Sequence, residues 1–438
     1  MRFFYFLLFI TLKLSTRLYF KTRRTHNSPK EYLGRTIYVS NHAASFMDPL
    51  LIAAFRKPIV FFMTRSDVFK PLLKPVLWAA HMLPIYRQHD GEDTKSKNEE
   101  VFKASSKILK RGRNILIFGE GFTDDTFIRR LKPVKKGAAR MGFTALENMN
   151  WKKKVYIAAV GCNYTEPNYM RSEILISTSD KICLNDYKES YEENPNKVIN
   201  EVTKLVEQKM REEITHVENK VWAPFHENVM ILTRKGMNAK NHNRKYSLKE
   251  RWRYSQKLAN WLNDQNLEDE KLVQLKSKLE GYFSLIRKLR MEEFYIHKFI
   301  KHKESRLNES LFLFLMWPFA LVGLVHFYLP YKFIKRFTEK TFRRRVFWGS
   351  VKMIMGKAIM GIINIPFIFV FYHYVYPSYW LGFAYYALII PLFGLSSYVY
   401  FRKLKDFQVL GAMKKANLKK VIVKREELIK EIKEVVPF

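Results

Sequence analysis

The sequence predicts an α/β fold: a mostly parallel sheet flanked by helices, followed by a helical region and C-terminal membrane helices. Short apolar runs of strand length alternate with helical patterns from about residue 35 to residue 183, which is typical of an α/β layer. The last third of the chain contains three apolar stretches of about the length needed to enter or cross a bilayer. The chain also carries 77 Lys and Arg residues against 41 Asp and Glu residues, a formal net charge of +36.

The α/β region contains six apolar strand candidates, at residues 36–40, 59–64, 83–86, 115–118, 155–161 and 173–177. Helical patterns separate most of them, at residues 67–81, 94–110 and 135–148. In such sheets, chemistry collects in the loops beyond the strand ends. His42, Arg87 and Glu120 each follow one of these strands, so the sequence predicts a site at that edge.

The N-terminal stretch 1–20 is apolar, with only Arg2, Lys13 and Arg17 interrupting it. Basic residues follow it in place of a small-residue cleavage site, which disfavours a signal peptide. We predict an interfacial or shallowly inserted anchor helix, and a core helix of the first domain is the alternative.

The C-terminal apolar stretches differ in their flanks. Residues 311–329 have Lys and Arg on both sides and contain Pro318 and Gly323, so a re-entrant hairpin or interfacial helix is predicted and a true crossing stays open. Residues 359–375 and 379–401 are joined by a link without Lys or Arg, while their outer flanks are basic. This pattern predicts a transmembrane hairpin with both ends cytoplasmic.

These patterns divide the chain into five predicted segments. They are an anchoring helix at 1–30, the α/β core at 31–185, a charged helical region at 186–306, a membrane region at 307–403 and a basic cytoplasmic tail at 404–438. Within the charged region, helices are predicted at 196–217 and 248–302. The expected protein is integral to the membrane, with an active site that faces the cytoplasm.

The basic excess implies an anionic partner, either nucleic acid or anionic lipid headgroups. The aromatic content of 15% and the long apolar runs favour the membrane. The chain has two cysteines, Cys162 and Cys183, and shows no zinc spacing, aromatic ribonucleoprotein motif or basic zipper. We therefore expect anionic membrane lipids as partners, no nucleic acid, no metal site and no cofactor.

The most informative motif is a histidine, His42, that precedes an aspartate, Asp48, with five residues between them. A buried strand is predicted before the pair, and Pro49 opens a helix after it. A general base and its orienting carboxylate are one interpretation of this pair; a helix cap is the other. Since no serine or cysteine nucleophile is obviously paired with them, direct transfer onto an acceptor alcohol is favoured over a covalent enzyme intermediate.

Three more segments follow predicted strands. Phe118 to Gly121 place glycines on both sides of Glu120, which lets a substrate approach the backbone closely, although a turn with one solvated acid is the plain alternative. Arg87 suits a phosphate through forked hydrogen bonds, or forms a surface ion pair. Lys135 belongs to a basic segment before a helix, which suits an anion or is a solvated loop.

Taken together, these segments resemble the glycerolipid acyltransferase family over roughly residues 30–185. His42 with Asp48 looks like the Asn-His…Asp block of that family, and Arg87 looks like the end of its arginine block. Residues 118–121 look like its Phe-Pro-Glu-Gly block, and residues 159–164 look like its late apolar strand. The five-residue spacing is similar to a branch that includes glycerol-3-phosphate and dihydroxyacetone-phosphate acyltransferases. Gly119 and His81 depart from the family pattern, which usually has proline and glycine there.

The resemblance implies an O-acyltransferase of phospholipid biosynthesis. His42 would be the general base, oriented by Asp48, and Arg87, Glu120 and Gly121 would bind the acceptor, with Phe118 and Lys135 as further substrate-binding candidates. The donor would be an acyl thioester of CoA or acyl carrier protein, and the acceptor a phosphorylated glycerol or lysophospholipid. The alternative is a non-catalytic membrane-associated lipid-binding or scaffold protein with an acyltransferase-like fold.

Overall fold

The computed structural model describes residues 2–27, 34–55, 60–71, 74–86, 94–301, 307–413 and 418–438. The strands are β1 (Phe20–His26), β2 (Thr36–Ser40), β3 (Val60–Arg65), β4 (Met82–Ile85), β5 (Asn114–Phe118), β6 (Tyr156–Tyr164), β7 (Ser172–Thr178) and β8 (Ile182–Cys183). The helices are α1 (Arg2–Tyr19), α2 (Met47–Phe55), α3 (Lys74–Ala79), α4 (Thr94–Lys110), α5 (Gly137–Glu147), α6 (Lys188–Glu193), α7 (Pro195–Glu213), α8 (Ala223–Thr233), α9 (Leu248–Asn263), α10 (Glu270–Lys288), α11 (Glu293–Lys301), α12 (Leu307–Thr341), α13 (Trp348–Asn364), α14 (Pro366–Tyr374), α15 (Tyr379–Ala384), α16 (Ile390–Met413) and α17 (Lys419–Val435).

The chain divides into two compact units. The first contains Met1–Ala223 and Tyr246–Asn263, and the second contains Pro224–Lys245 and Asp264–Phe438. The sheet belongs to the first unit, and the apolar C-terminal helices belong to the second.

The sheet of the first unit has the order β1-β7-β6-β2-β5-β3-β4, with β8 paired to β6. Strand β2 lies at its centre and runs parallel to both β5 and β6. The antiparallel pairs are β6 with β7 and β6 with β8; the remaining pairs are parallel. The predicted mostly parallel α/β sheet is therefore confirmed.

Burial on both faces explains why the central strand reads as a continuous apolar run. All five residues of β2 are buried, including Ile37, Tyr38 and Val39, as expected for a strand covered on both sides. Helix α5 packs against this core through residues such as Met141 and Phe143, which are fully buried.

Several predicted elements changed extent in the structure. Strand β1 lies where the anchor segment was expected to continue, since its backbone pairs with β7 at the edge of the sheet. Its polar sequence gives no sign of this pairing. The continuous helix expected at 67–81 is wrong: the described residues there form a 3₁₀ turn at Ser66–Val68 and the short helix α3 at Lys74–Ala79. The long helix expected at 248–302 is wrong: it is three helices, α9, α10 and α11, and Asp269 caps the second of them through the backbone N–H of Leu272 at 2.9 Å.

The second unit contains three helical segments that are long and apolar enough to cross a membrane, Leu307–Thr341, Arg345–Tyr374 and Tyr379–Met413. The first continues through Pro318 and Pro330 as one helix of 35 residues, so the described chain shows no re-entrant reversal there. This membrane association was predicted, and the helices fit it.

Polar contacts tie the apolar helices together. His326 on α12 lies 2.7 Å from the side-chain oxygen of Asn364 on α13 and 3.1 Å from the hydroxyl of Tyr385, and His326 and Asn364 are buried. The hydroxyl of Ser397 on α16 donates to the carbonyl of Ala320 at 2.7 Å. Such interhelical hydrogen bonds are a common means of joining helices in an apolar environment.

Candidate active site

The candidate site lies beyond the carboxyl ends of β2, β5 and β6. Because these three strands are parallel neighbours, the loops that follow them meet at one edge of the sheet. His42 lies two residues after β2, and Asp48 lies in the first turn of α2. The short turn between them brings the two side chains together.

His42 and Asp48 form a hydrogen-bonded pair. The Nδ1 atom of His42 lies 3.0 Å from Oδ2 of Asp48, and the same oxygen accepts the backbone N–H of Ala44 at 2.9 Å. Asp48 is fully buried, whereas the His42 side chain is 20% exposed. A carboxylate facing Nδ1 favours the tautomer with hydrogen on Nδ1, which leaves Nε2 as the basic nitrogen. This geometry suits a general base that can still be reached from solvent.

Phe118 and Glu120, both predicted substrate-binding residues, contact His42. The Phe118 ring stacks on the imidazole with centroids 4.1 Å apart and planes 18° apart. Glu120 Oε1 accepts the backbone N–H of His42 at 2.7 Å, and Oε2 accepts the backbone N–H of Lys132 at 3.3 Å. The buried carboxylate of Glu120 therefore joins two loops, and burial raises its pKa above the ordinary value.

Gly121 and Lys135 lie together on the next part of this rim. Gly121 has a φ of +76°, and a Cβ added to it would stand 3.1 Å from Cε and Nζ of Lys135. Lys135 is exposed, and its backbone N–H donates to the carbonyl of Gly119 at 2.9 Å. Glycine at 121 thus allows both the left-handed turn and the close passage of the lysine.

The local structure explains why glycine stands at position 119, where the family usually has proline. Its backbone N–H donates to the carbonyl of Ser40 at 3.2 Å, which links the ends of β5 and β2. Proline has no N–H and would lose this bond. A Cβ at this position would also stand 2.9 Å from Cγ1 of Val39 and 3.1 Å from Cγ1 of Val134.

The structure brings five of the predicted substrate-binding and catalytic positions to one rim: His42, Asp48, Phe118, Glu120 and Gly121, with Lys135 beside the last. Arg87 lies outside the described residues. The substrate-binding roles of these side chains remain predictions.

Three further residues lie in motifs that the sequence singled out but were not predicted as site residues. The hydroxyl of Tyr164, at the end of β6, lies 2.6 Å from Oδ1 of Asp48. The side chain of Asn41 bonds the backbone of Cys162, accepting its N–H at 2.8 Å and donating to its carbonyl at 3.3 Å. Asn41 and Tyr164 stand in the sequence blocks that carry the resemblance, but nothing in their spacing indicates what they contact.

Lys132 is the third residue. It is buried, and its ammonium lies 3.2 Å both from a carboxylate oxygen of Asp124 and from the carbonyl oxygen of Phe122. Its charge lies near Glu120 and lowers the pKa of that carboxyl, which opposes the effect of burial. Within the described ranges, no group of three or more His, Cys, Asp or Glu side chains is arranged to hold a metal ion.

The His–Asp pair lies beyond the carboxyl ends of parallel strands, where open α/β sheets place their binding and catalytic sites. Residues 20–163 match the family model described as Acyltransferase. These residues therefore form an acyltransferase domain, and the predicted enzyme class is confirmed. The match begins at β1 and ends one residue before Tyr164, so it contains both members of the His–Asp pair.

Among solved structures, the chain is similar to the 1-acyl-sn-glycerophosphate (LPA) acyltransferase, PlsC, from Thermotoga maritima. It is 18% identical, and the alignment covers 46% of this chain and 78% of that chain with a TM-score of 0.32. A TM-score this low gives the likeness no weight in assigning the fold, the activity or the acceptor. A comparison with curated proteins found no match.

Proposed function

We propose that this protein is a membrane-bound O-acyltransferase of phospholipid biosynthesis. It moves a fatty acyl group from an acyl thioester to the hydroxyl of a glycerol-3-phosphate-type or lysophosphatidate acceptor. The observation that carries the proposal is the contact of 3.0 Å between Nδ1 of His42 and Oδ2 of Asp48 inside an acyltransferase domain. The three apolar helical segments support a site of action at a membrane.

His42 acts as the general base in this proposal. Its Nε2 takes the proton of the acceptor hydroxyl while the oxygen attacks the carbonyl carbon of the thioester. Asp48 holds the imidazole and stabilises its protonated form. The tetrahedral intermediate then collapses: the carbon–sulfur bond breaks, an oxygen ester forms, and the thiolate takes the proton back from the imidazolium. No covalent intermediate with the protein is needed.

The rim around His42 supplies the candidates for substrate binding. Gly121 and Lys135 present backbone and an ammonium group at the exposed side of the site, which suits an anionic phosphate. Phe118 packs on one face of the imidazole, so a substrate must approach from the rest of its surface. Arg87 is a candidate for a second phosphate contact, and the donor is acyl-CoA or acyl carrier protein. We propose that this site faces the cytoplasm.

General-base catalysis contributes about 10²- to 10⁴-fold to such reactions, and orientation of two substrates at a bilayer surface supplies much of the remainder. The His42→Ala variant should therefore lose at least about 10²-fold in transferase rate while its membrane association stays unchanged. The change removes the base but leaves the apolar helices intact.

The test uses the full chain in nanodiscs that contain anionic lipid. Labelled acyl-CoA and labelled acyl carrier protein are each offered with glycerol 3-phosphate, dihydroxyacetone phosphate, lysophosphatidate or an uncharged lyso-lipid, and products are identified by mass spectrometry. His26→Ala, on the edge strand β1, is the matched control and should keep full activity. Substantial transfer by His42→Ala would overturn the mechanism, and absence of product with every acceptor would overturn the proposed function.

A further inference from the structure

Tyr164 reaches the His–Asp pair from a different part of the chain. It is the last residue of β6 and is fully buried. Its ring contacts that of Phe20, with centroids 6.0 Å apart, and that of Phe127, with centroids 6.1 Å apart and an interplanar angle of 85°. Close packing around a fully buried ring restricts its rotamers, and with them the position of its hydroxyl group.

The backbone at Tyr164 is also held. The guanidinium of Arg129 donates to the carbonyl of Tyr164 at 2.5 Å and to that of Thr165 at 3.2 Å. Arg129 itself is buried, and it lies over the ring of Phe127 at 5.0 Å. The loop that follows Glu120 thus fixes the end of β6, and with it the position of the phenol.

The phenol contacts the carboxylate oxygen that His42 does not use. The Tyr164 hydroxyl lies 2.6 Å from Oδ1 of Asp48, while Oδ2 serves His42 and the backbone N–H of Ala44. Burial, followed by the nearby charge of Asp48, raises the pKa of Tyr164 well above its ordinary value. The phenol therefore stays protonated and donates, forming a charge-assisted hydrogen bond.

We propose that Tyr164 is a positioning residue for the acyl transfer: its hydroxyl fixes the plane of the Asp48 carboxylate and thereby aims Oδ2 at His42. Without this donor, Oδ1 loses the phenol contact, and only the contacts of Oδ2 hold the carboxylate. The carboxylate is then less restricted in rotation about its Cβ–Cγ bond. The phenol also withdraws negative charge from Asp48, which limits how strongly the carboxylate favours protonated imidazole. This inference rests on the proposed roles of His42 and Asp48.

The Tyr164–Asp48–His42 chain of hydrogen bonds has several charged or titratable neighbours. They are Cys162 on β6, Tyr19 at the end of α1, and Arg129, Glu120 and Lys132 in the loop after β5. A substitution at Tyr164 leaves all of them in place. A change in pH dependence can therefore be assigned to the lost phenol.

The primary test is Tyr164→Phe, with Tyr191→Phe as the matched control. Tyr191 is also a buried phenol that bonds a carboxylate, that of Glu147 at 3.3 Å, but its ring stacks on Phe143 of α5. We expect Tyr164→Phe to lower kcat by about 10- to 100-fold, the range that corresponds to one hydrogen bond to a charged group, with KM for both substrates nearly unchanged. We expect Tyr191→Phe to leave kcat unchanged.

The pH profile separates positioning from simple packing. In Tyr164→Phe, the Asp48 carboxylate loses a donor that stabilised its negative charge, while Oδ2 keeps its contacts with His42 and the Ala44 N–H. It then stabilises the protonated imidazole more strongly, so the acid limb of kcat should move to higher pH. In a protein with 3-fluorotyrosine at position 164, the phenol is a stronger donor of nearly the same shape. There the acid limb should move to lower pH. A residue that serves packing alone would move the profile in neither variant.

A double-mutant cycle with Asp48→Asn completes the test. If Tyr164 acts through Asp48, the phenylalanine change should cost little more once the carboxylate is gone. Wild-type kcat and an unmoved pH profile in Tyr164→Phe, alongside an inactive His42→Ala protein, would overturn the positioning role alone. Full activity of His42→Ala would instead overturn the general-base mechanism on which this role rests, and absence of product with every acceptor would overturn the proposed function. If Tyr164→Phe fails to fold, the fluorotyrosine protein decides the question by the direction of its shift.

Discussion

Replacing Glu120 with glutamine distinguishes a substrate-binding carboxylate from one that holds the site together. In the structure, its two oxygens accept the backbone N–H groups of His42 and Lys132 at 2.7 and 3.3 Å. Glutamine keeps one acceptor oxygen and places an NH₂ group against the other N–H. Both loops that carry the rim should loosen as a result.

The magnitude follows from these contacts. Hydrogen bonds to a charged group contribute about 1.5–3 kcal/mol each, and Glu120→Gln removes one of two. For a domain of 150–250 residues this lowers Tm by roughly 3–12 °C. Since the backbone of His42 is also displaced, kcat should fall by about 10-fold or more, with KM for the acceptor changing little.

The assay is a thermal melt of the purified full chain in one detergent, together with steady-state kinetics at varied acceptor concentration. Glu147→Gln is the matched control, because that exposed carboxylate bonds only the Tyr191 hydroxyl among the contacts described and lies away from the rim. The control should behave as wild type in both measurements. An unchanged Tm with a large rise in acceptor KM would refute the anchoring role and would favour direct binding of the acceptor by Glu120.

Two further predictions concern stability. Gly119→Pro should lower the free energy of unfolding by about 2–6 kcal/mol, because it removes the N–H bonded to Ser40 and crowds Val39 and Val134. Gly119→Ala keeps the N–H and should lower the free energy of unfolding by about 1–3 kcal/mol. Denaturant titrations measure both losses, and equal losses would contradict this account. Burial lowers the pKa of His216 to about 4, and its Nδ1 accepts the backbone N–H of Leu131 at 2.8 Å. The unfolded chain binds the proton near pH 6.5 and the folded chain near pH 4, so the free energy of unfolding should decrease as pH drops through that range. Thermal melts at pH 7 and pH 4.5 measure this decrease, and it should be smaller in His216→Gln.

Local sequence was sufficient for elements whose signals are local. Strand β2 was predicted at its observed bounds, because a five-residue apolar run between turn residues indicates a buried strand. Helix α4 was also predicted at its observed bounds, Thr94–Lys110. Strand β1 was missed because its pairing with β7, about 150 residues away, stabilises a polar segment that has no strand pattern of its own.

The same distinction holds for the site. The sequence by itself determined the His42–Asp48 pair, since five intervening residues and a helix start bring these side chains together locally. Only the tertiary structure decided what surrounds the pair: Glu120, 78 residues away, holds the backbone of His42, and Tyr164, 116 residues away, contacts Asp48. These contacts depend on β2 lying between β5 and β6. That strand order is set by the packing of the whole sheet, and no spacing within one segment encodes it.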